Sequence, residues 1–314
     1  MRHHRIRHIT KYIYPTPVTD SANQIMLYAI NDARQQVKHH ELNITGRPAI
    51  EVFSDYYGNT IGTFSVIQPH EELVIESTVE VRVEPIELPP DDGNPSQQWD
   101  HVKAVRGTFP YLDFLFQERC SSREEILAVV RSFAGPEVTP LRASLGLAEF
   151  VHTSLRYQKG VTSVESSVDD VWNLKAGVCQ DFAHLLLLML RMTGIPSRYV
   201  SGYVCPINHE MRGEGATHAW VDAYIPGHGW LGIDPTNNGI VNDQHVRLAF
   251  GRSFADCTPV KGTYKGSSEH TLNVSVRIEN DPAGESAPIF STTIRKEEPS
   301  FNSYRRYLEF QQQQ

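Results

Sequence analysis

Cysteine is scarce in this 314-residue chain, and no two cysteines lie close together: Cys120, Cys179, Cys205 and Cys257 form no CxxC pair. That usage excludes a zinc ribbon and a disulfide framework and suits a reducing cytoplasm. Long apolar runs are also missing. The longest, Leu185 to Leu190, is ended by Arg191, far short of the roughly 20 residues that cross a bilayer, so no membrane partner is expected. The opening MRHHRIRHITKYIY is basic but has no continuous apolar segment and no small-residue cleavage site, which makes it a poor export signal. A cytoplasmic location is the expectation. Excess positive charge is absent too: the formal net charge is −8, which argues against a dedicated nucleic-acid surface. His3-His4 and His39-His40 lack a Cys, Asp or further His at ligand spacing, and neither a metal nor a cofactor is expected.

The rest of the composition, 40% apolar and 21% charged, is that of an ordinary globular protein. The length fits two domains. Residues 5 to about 85 read as strands: Arg7 to Tyr14 up to the stop at Pro15 and Pro17, Gln36 to Ile44, Ala49 to Tyr57, Gly62 to Ile67, and Glu71 to Pro85. In the last, Val79, Val81 and Val83 alternate with charge, as on a half-buried strand. Strands with no helix between them predict a β-sandwich over 1–90. LPPDDGNPSQQ (Leu88 to Gln98) reads as a breaker-rich linker. Beyond it the period changes. Ser122-Arg123-Glu124-Glu125 opens one helix and Thr139-Pro140 another. His270 to Ile278 reads as a final strand of a second domain over 91–280. Residues 281–314, rich in Pro, Ser, Glu and Gln, are expected to be a mobile tail.

The most informative stretch is GVCQDFAHLLLLMLRMTG, residues 177–194. It places Cys179 at a helix start, where unpaired N–H groups and partial positive charge favour thiolate over thiol. Gly194 with Ile195-Pro196 ends that helix, and its nearly all-round apolar surface marks it as buried. Ser197 to Val204, His218 to Ile225 and Trp230 to Asp234 read as strands, the last two joined by a Pro226–Gly229 hairpin. One helix on an antiparallel sheet makes this an α+β domain. His218 and Asp234 supply a base and a carboxylate to orient it.

With those motifs in place, the chain resembles the bacterial branch of the transglutaminase-like superfamily, cysteine proteases or amidases with an amino-terminal β domain ahead of a papain-like core. GVCQDFAHLLLLMLRMTGIPSRYVSGY resembles the nucleophile helix, and THAWVDAYIPGHGWLGIDPTNN the histidine and aspartate strands. RHITKYIY, SDYYGNT and GRSFADCTPVKGTYKG resemble flanking segments. The resemblance implies a Cys179–His218–Asp234 triad and no cofactor; the chain has no EF-hand-like loop that would make it calcium-dependent.

Residue by residue, Cys179 would attack a carbonyl, His218 would move the proton and Asp234 would fix its tautomer. Asp222 is the rival carboxylate, but four residues along a strand from His218 places it about 13 Å away. The backbone N–H of Cys179 is the first candidate for the oxyanion site, with Tyr157 and Gln180 as candidates for a second donor. Trp220 is expected to wall the site. Asp181 is a first-turn anion, and His184 is expected to pack or hydrogen-bond inside. Trp172 and Trp230 fit a cleft border and core packing equally. The leading expectation is a hydrolase of peptide or amide bonds in a peptide or protein substrate, working through a thioester. Acyl transfer to an amine, or a non-catalytic scaffold, is the alternative.

Overall fold

The computed structural model describes residues 1–206, 211–212, 217–266, 269–280 and 289–299. Five strands come first: β1 (Arg2–Ile25), β2 (Gln35–Ile44), β3 (Glu51–Ser54), β4 (Thr60–Val66) and β5 (His70–Val83). Then follow α1 (Pro95–Val105), α2 (Arg123–Phe133), α3 (Pro140–Ser154), β6 (Arg156–Tyr157), α4 (Val168–Leu174), β7 (Ala176–Gly177) and α5 (Cys179–Thr193). The remaining strands are β8 (Ser197–Val204), β9 (Thr217–Ile225), β10 (Gly229–Asp234), β11 (Gly239–Ile240), β12 (His245–Gly251), β13 (Val260–Lys265), β14 (Glu269–Asn280) and β15 (Ile289–Pro299).

The chain forms two compact units, a first made of Met1–Val83 with the segment from Thr258 onward and a second, Glu84–Cys257. This corrects the expected division at two places. The strand over His270 to Ile278 belongs to the first unit rather than the second, because β14 pairs with β1 in unbroken antiparallel register from His4↔Asn280 to Ile13↔Thr271. Part of the expected mobile tail is a strand: β15 pairs with β14 from Glu269↔Pro299 to Glu279↔Ile289. The remaining tail positions, 281–288 and 300–314, lie outside the described residues.

In the first unit β1 does not stop at Pro15 and Pro17. Its first part pairs with β5 and β14 and its last part with β4 and β13, and the register against β5 shifts between Ile13 and Val18. The prolines, which cannot donate to a ladder, sit where the strand leaves one sheet for the other. That shared strand builds the β-sandwich. Its filling comes from alternation: Leu73, Ile75, Val79 and Val81 of β5 are buried, as are Ile6, Val18, Ile25 and Ile278, each such side chain contributing about 1.5–3 kcal/mol.

In the second unit the sheet runs β11-β10-β9-β8-β12, antiparallel throughout, and α5 packs on β8 and β9 with α2, α3 and α4 around it. α1 begins inside the stretch that reads as linker and runs on beyond it to Val105. Asn94 caps it by accepting from the Gln97 N–H at 3.3 Å, and Pro95 stands in its first turn, where a missing N–H costs nothing. Arg191 ends the apolar run yet is buried, its guanidinium donating to the carbonyls of Phe114, Phe116, Ser197 and Arg252 at 2.6–3.1 Å. Those bonds tie the end of α5 to the start of β8. Gly194 closes the helix at φ 85°, a conformation that favours glycine.

His8 in β1 is buried against Thr10, and desolvation lowers its pKa from 6.5 to about 4. The unfolded chain therefore takes up a proton before the folded one, so stability falls as pH drops below 6.5 and the loss levels off below about 4. Denaturant unfolding of His8→Gln should lose about 2 kcal/mol less than wild type between pH 8 and pH 5. Equal losses in the two proteins would show that His8 does not carry this sensitivity.

Candidate active site

The first turn of α5 is built around Asp181. Val178 precedes the helix with extended backbone and has no side-chain oxygen to cap it. Asp181 Oδ2 instead accepts the Val178 N–H at 2.7 Å, and Thr162 Oγ1 donates to the same oxygen at 2.7 Å. Burial raises the Asp181 pKa, opposed by those two bonds. Gly177 is required here: a Cβ on it would lie 2.4 Å from Asp181 Oδ2. Cys179 follows, half-buried, and its backbone N–H meets no acceptor among the described residues, as expected of a first-turn amide. β6 pairs in parallel with β7 through Tyr157↔Gly177, and Gln158 N–H donates to Gly177 O at 2.9 Å. Tyr157 is thereby held beside the start of α5.

His218 and Asp234 arrive on neighbouring strands, β9 and β10, at 2% and 0% exposure. Between them His218 Nε2 and Asp234 Oδ2 are 2.8 Å apart. Asp234 Oδ1 accepts the backbone N–H groups of Thr236 at 2.9 Å and Asn237 at 3.2 Å. Oδ2 also receives Asn237 Nδ2 at 2.8 Å and faces His245 Nε2 at 3.3 Å. Burial opposes ionisation of Asp234, yet His218 and His245 hold its carboxyl well below the usual carboxylate range. Burial would likewise lower the His218 pKa. The Asp234 carboxylate, and then Cys179 as hydrogen-bond partner and charge, outweigh it and raise the pKa to about 10. With an ionised Asp234 taking Nε2–H, the ring nitrogen left for Cys179 is Nδ1, which is buried with no other partner among the described residues. Asp222 takes no part: Arg198 binds its Oδ2 through Nε at 3.0 Å and a terminal nitrogen at 2.9 Å, the guanidinium lying over Trp230 and Phe250.

Of the other sequence candidates, Tyr157 joins this group. Burial first, then the nearby charges of Cys179 and Asp234, push its hydroxyl pKa up against the opposing effect of Arg212, so it stays a protonated donor. Gln180 is half-buried on α5 and its side chain makes no hydrogen bond among the described residues. Trp220 does not wall a cleft. It has no exposed surface and packs with Val200, Val241 and Phe250 behind His218, its ring edge-on to His245 at 5.3 Å. His184 accepts the Phe254 N–H at 3.1 Å, and burial, then Arg191, lower its pKa to about 4. Trp172 donates to Glu125 at 3.0 Å, and Trp230 stacks among Tyr111, Phe114 and Tyr224, so both serve packing. Cys120 donates to Asp169, and burial with that carboxylate lifts its pKa to about 11. Cys205 and Cys257 are buried. Sequence reading did not find Asn237 or His245. Asn237 lies in the DPTNN turn, whose residues carry a readable signal; His245 carries none, being one histidine of 14.

Residues 128–235 match the transglutaminase-like superfamily model and residues 4–82 the bacterial transglutaminase-like N-terminal region. An uncharacterised protein of Mycobacterium leprae is 32% identical over 280 residues, covering 87% of this chain and 97% of that one. One from Mycobacterium tuberculosis is 34% identical, covering 88% and 92%. A protein-glutamine gamma-glutamyltransferase of Pseudomonas aeruginosa is 32% identical over 97 residues, 29% of this chain and 14% of that protein. In fold, a crystal structure described as a candidate cysteine protease from Cytophaga hutchinsonii superposes with a TM-score of 0.67 at 19% identity, covering 94% of this chain and 98% of the other. The chain belongs to the transglutaminase-like superfamily, in the bacterial branch that carries the N-terminal β region.

Proposed function

We propose that the protein is a cysteine-nucleophile hydrolase of peptide or amide bonds, with Cys179 as nucleophile, His218 as acid and base and Asp234 as orienter. The observation that carries this is the 2.8 Å His218–Asp234 contact, which leaves Nδ1 of His218 for Cys179. In the first step the Cys179 sulfur, its proton on His218, attacks the carbonyl carbon, and the C=O π electrons move to oxygen. The Cys179 N–H and the Tyr157 hydroxyl donate to that oxyanion. Collapse breaks the C–N bond, and the leaving nitrogen takes the proton from His218. A thioester remains. Water, deprotonated by His218, adds to it and expels the thiolate, regenerating the site and releasing a carboxylic acid.

A second reading has one specific observation in its favour, the similarity to the Pseudomonas gamma-glutamyltransferase. An amine would then take the place of water, and the same three residues would complete a transamidation. As for location, the four cysteines form no disulfide among the described residues, which suits a reducing cytoplasm.

Iodoacetamide at pH 6 should alkylate Cys179 at least about tenfold faster than Cys120, Cys205 or Cys257, as a thiolate–imidazolium pair requires. Equal labelling of all four would instead make the chain a scaffold. With glutamine-containing casein and a labelled amine, ammonia or new termini without amine incorporation is the expected result; incorporation would select transamidation. In that assay Cys179→Ala should cut turnover by at least about 10³-fold. Tyr157→Phe should lower kcat by about 10²-fold with KM little changed, and an unchanged kcat would remove Tyr157 from the oxyanion site.

A further inference from the structure

We infer that His245 is a positioning residue, a second imidazole that locks the Asp234 carboxylate holding His218. The inference rests on the proposed Cys179–His218–Asp234 chemistry and adds to it a residue that no sequence motif marks.

The fold goes to some length to bring His245 there. β12 lies at the opposite edge of the sheet from β11, beyond β9 and β8. The chain from β11 to β12 therefore has to pass from the β10 side of the sheet to the β8 side. Two glycines let it lie close. A Cβ on Gly232 would meet Val241 at 2.6 Å, and one on Gly202 would meet the Val246 carbonyl oxygen at 2.1 Å and the Trp220 ring at 2.6 Å. The Val241 N–H donates to Gly232 O at 2.9 Å. Trp220, fully buried, packs its ring against His245.

Delivered this way, His245 is 3% exposed, with hydrogen-bond partners at both ring nitrogens. Its Nε2–H donates to Asp234 Oδ2 at 3.3 Å, and its Nδ1 accepts the Asn242 N–H at 3.3 Å. Asp234 Oδ2 thus has three donors, from His218, Asn237 and His245, while Oδ1 has two backbone N–H groups. A carboxylate engaged at every side cannot rotate. His245 also competes with His218 for the same oxygen, and so moderates how tightly Asp234 holds the proton on the catalytic ring.

Other titratable groups stand around this cluster. Cys179 comes from α5, Tyr157 from β6 and Arg212 from the segment bonded to Asn237. Tyr203 and Cys205, beside His245 on and just after β8, are held neutral by burial. Asp243 and Arg247 flank His245 on its own segment. Among the described residues the donors to Asp234 Oδ2 are His218, Asn237 and His245.

The test is the pH profile of Cys179 alkylation by iodoacetate, an anion whose attack is favoured by a protonated His218, so that the basic limb reports loss of that proton. It is read together with kcat on casein. Removing the competing donor in His245→Ala should leave His218 more strongly proton-holding and shift the basic limb upward by about half a pH unit. Loss of the fixed carboxylate should lower kcat about tenfold at little-changed KM. His245→Gln, which keeps an N–H at similar reach, should recover most of both. If the alanine variant does not fold, His245→Phe keeps a ring against Trp220, removes both ring nitrogens and carries the same expectations. A wild-type basic limb in folded variants that lack the donor would overturn the inference while leaving the proposed activity standing. A wild-type protein whose Cys179 shows no preferred, bell-shaped reaction with iodoacetate would overturn both.

Discussion

A buried carboxylate is expensive unless its charge is fully answered, and at Asp234 every answer is also a positioning force. The cost of desolvating such an ion is several kcal/mol, and an uncompensated one would not stay ionised. Backbone amides of the following turn, the Asn237 side chain and two imidazoles supply the compensation. Because the donors come from β9, from the turn after β10 and from the start of β12, the charge can persist only if those elements hold their places. The electrostatics of the site and the packing of the sheet are therefore one problem. The raised pKa of His218 is its outward sign, since burial alone would push that ring the other way.

Cys179 is placed by an independent device. α5 is held by its apolar sides, with Phe182, Leu185, Leu186, Met189 and Leu190 all buried, and by Arg191 at its far end. Its near end depends on Asp181, which closes the Val178 N–H and draws in Thr162. A first-turn carboxylate so close to a nucleophile would normally work against a thiolate. Its charge is spent on two short hydrogen bonds, and the Cys179 N–H remains unbonded among the described residues. The oxyanion proposal uses that unspent donor.

Much of this was legible in the chain itself, for physical reasons that differ from element to element. α5, β9 and β10 are strongly periodic and bounded by Gly and Pro, so their existence and order follow from residue pattern. Asp234 over Asp222 follows from the strand rise alone. What escaped was set by tertiary context. Pro95 reads as a breaker and acts as a helix starter because Asn94 caps it. Pro15 and Pro17 read as a strand end and act as the bend of a strand shared by two sheets. Trp220 reads as a cleft wall because its neighbours are small, but a chain segment crosses the sheet and covers it. His245 was invisible because only that crossing gives it a partner.

The pairing of β1 with β14 has a consequence for how the two units depend on each other in sequence. Glu84–Cys257 is contiguous, whereas the sandwich needs both ends of the chain. β1 carries exposed ladder groups on one side until residues from Thr271 onward supply its partner. An unpaired edge of that length is a template for wrong pairing, and its closure comes late because the contact spans most of the chain. The charged outer face of β1 reduces the hazard: Arg5 and Arg7 meet Glu80 and Glu76 across the pair with β5. Surface pairs of this kind add little stability. Their value lies in making the open edge a poor template for another apolar strand while the distant segment is still to arrive.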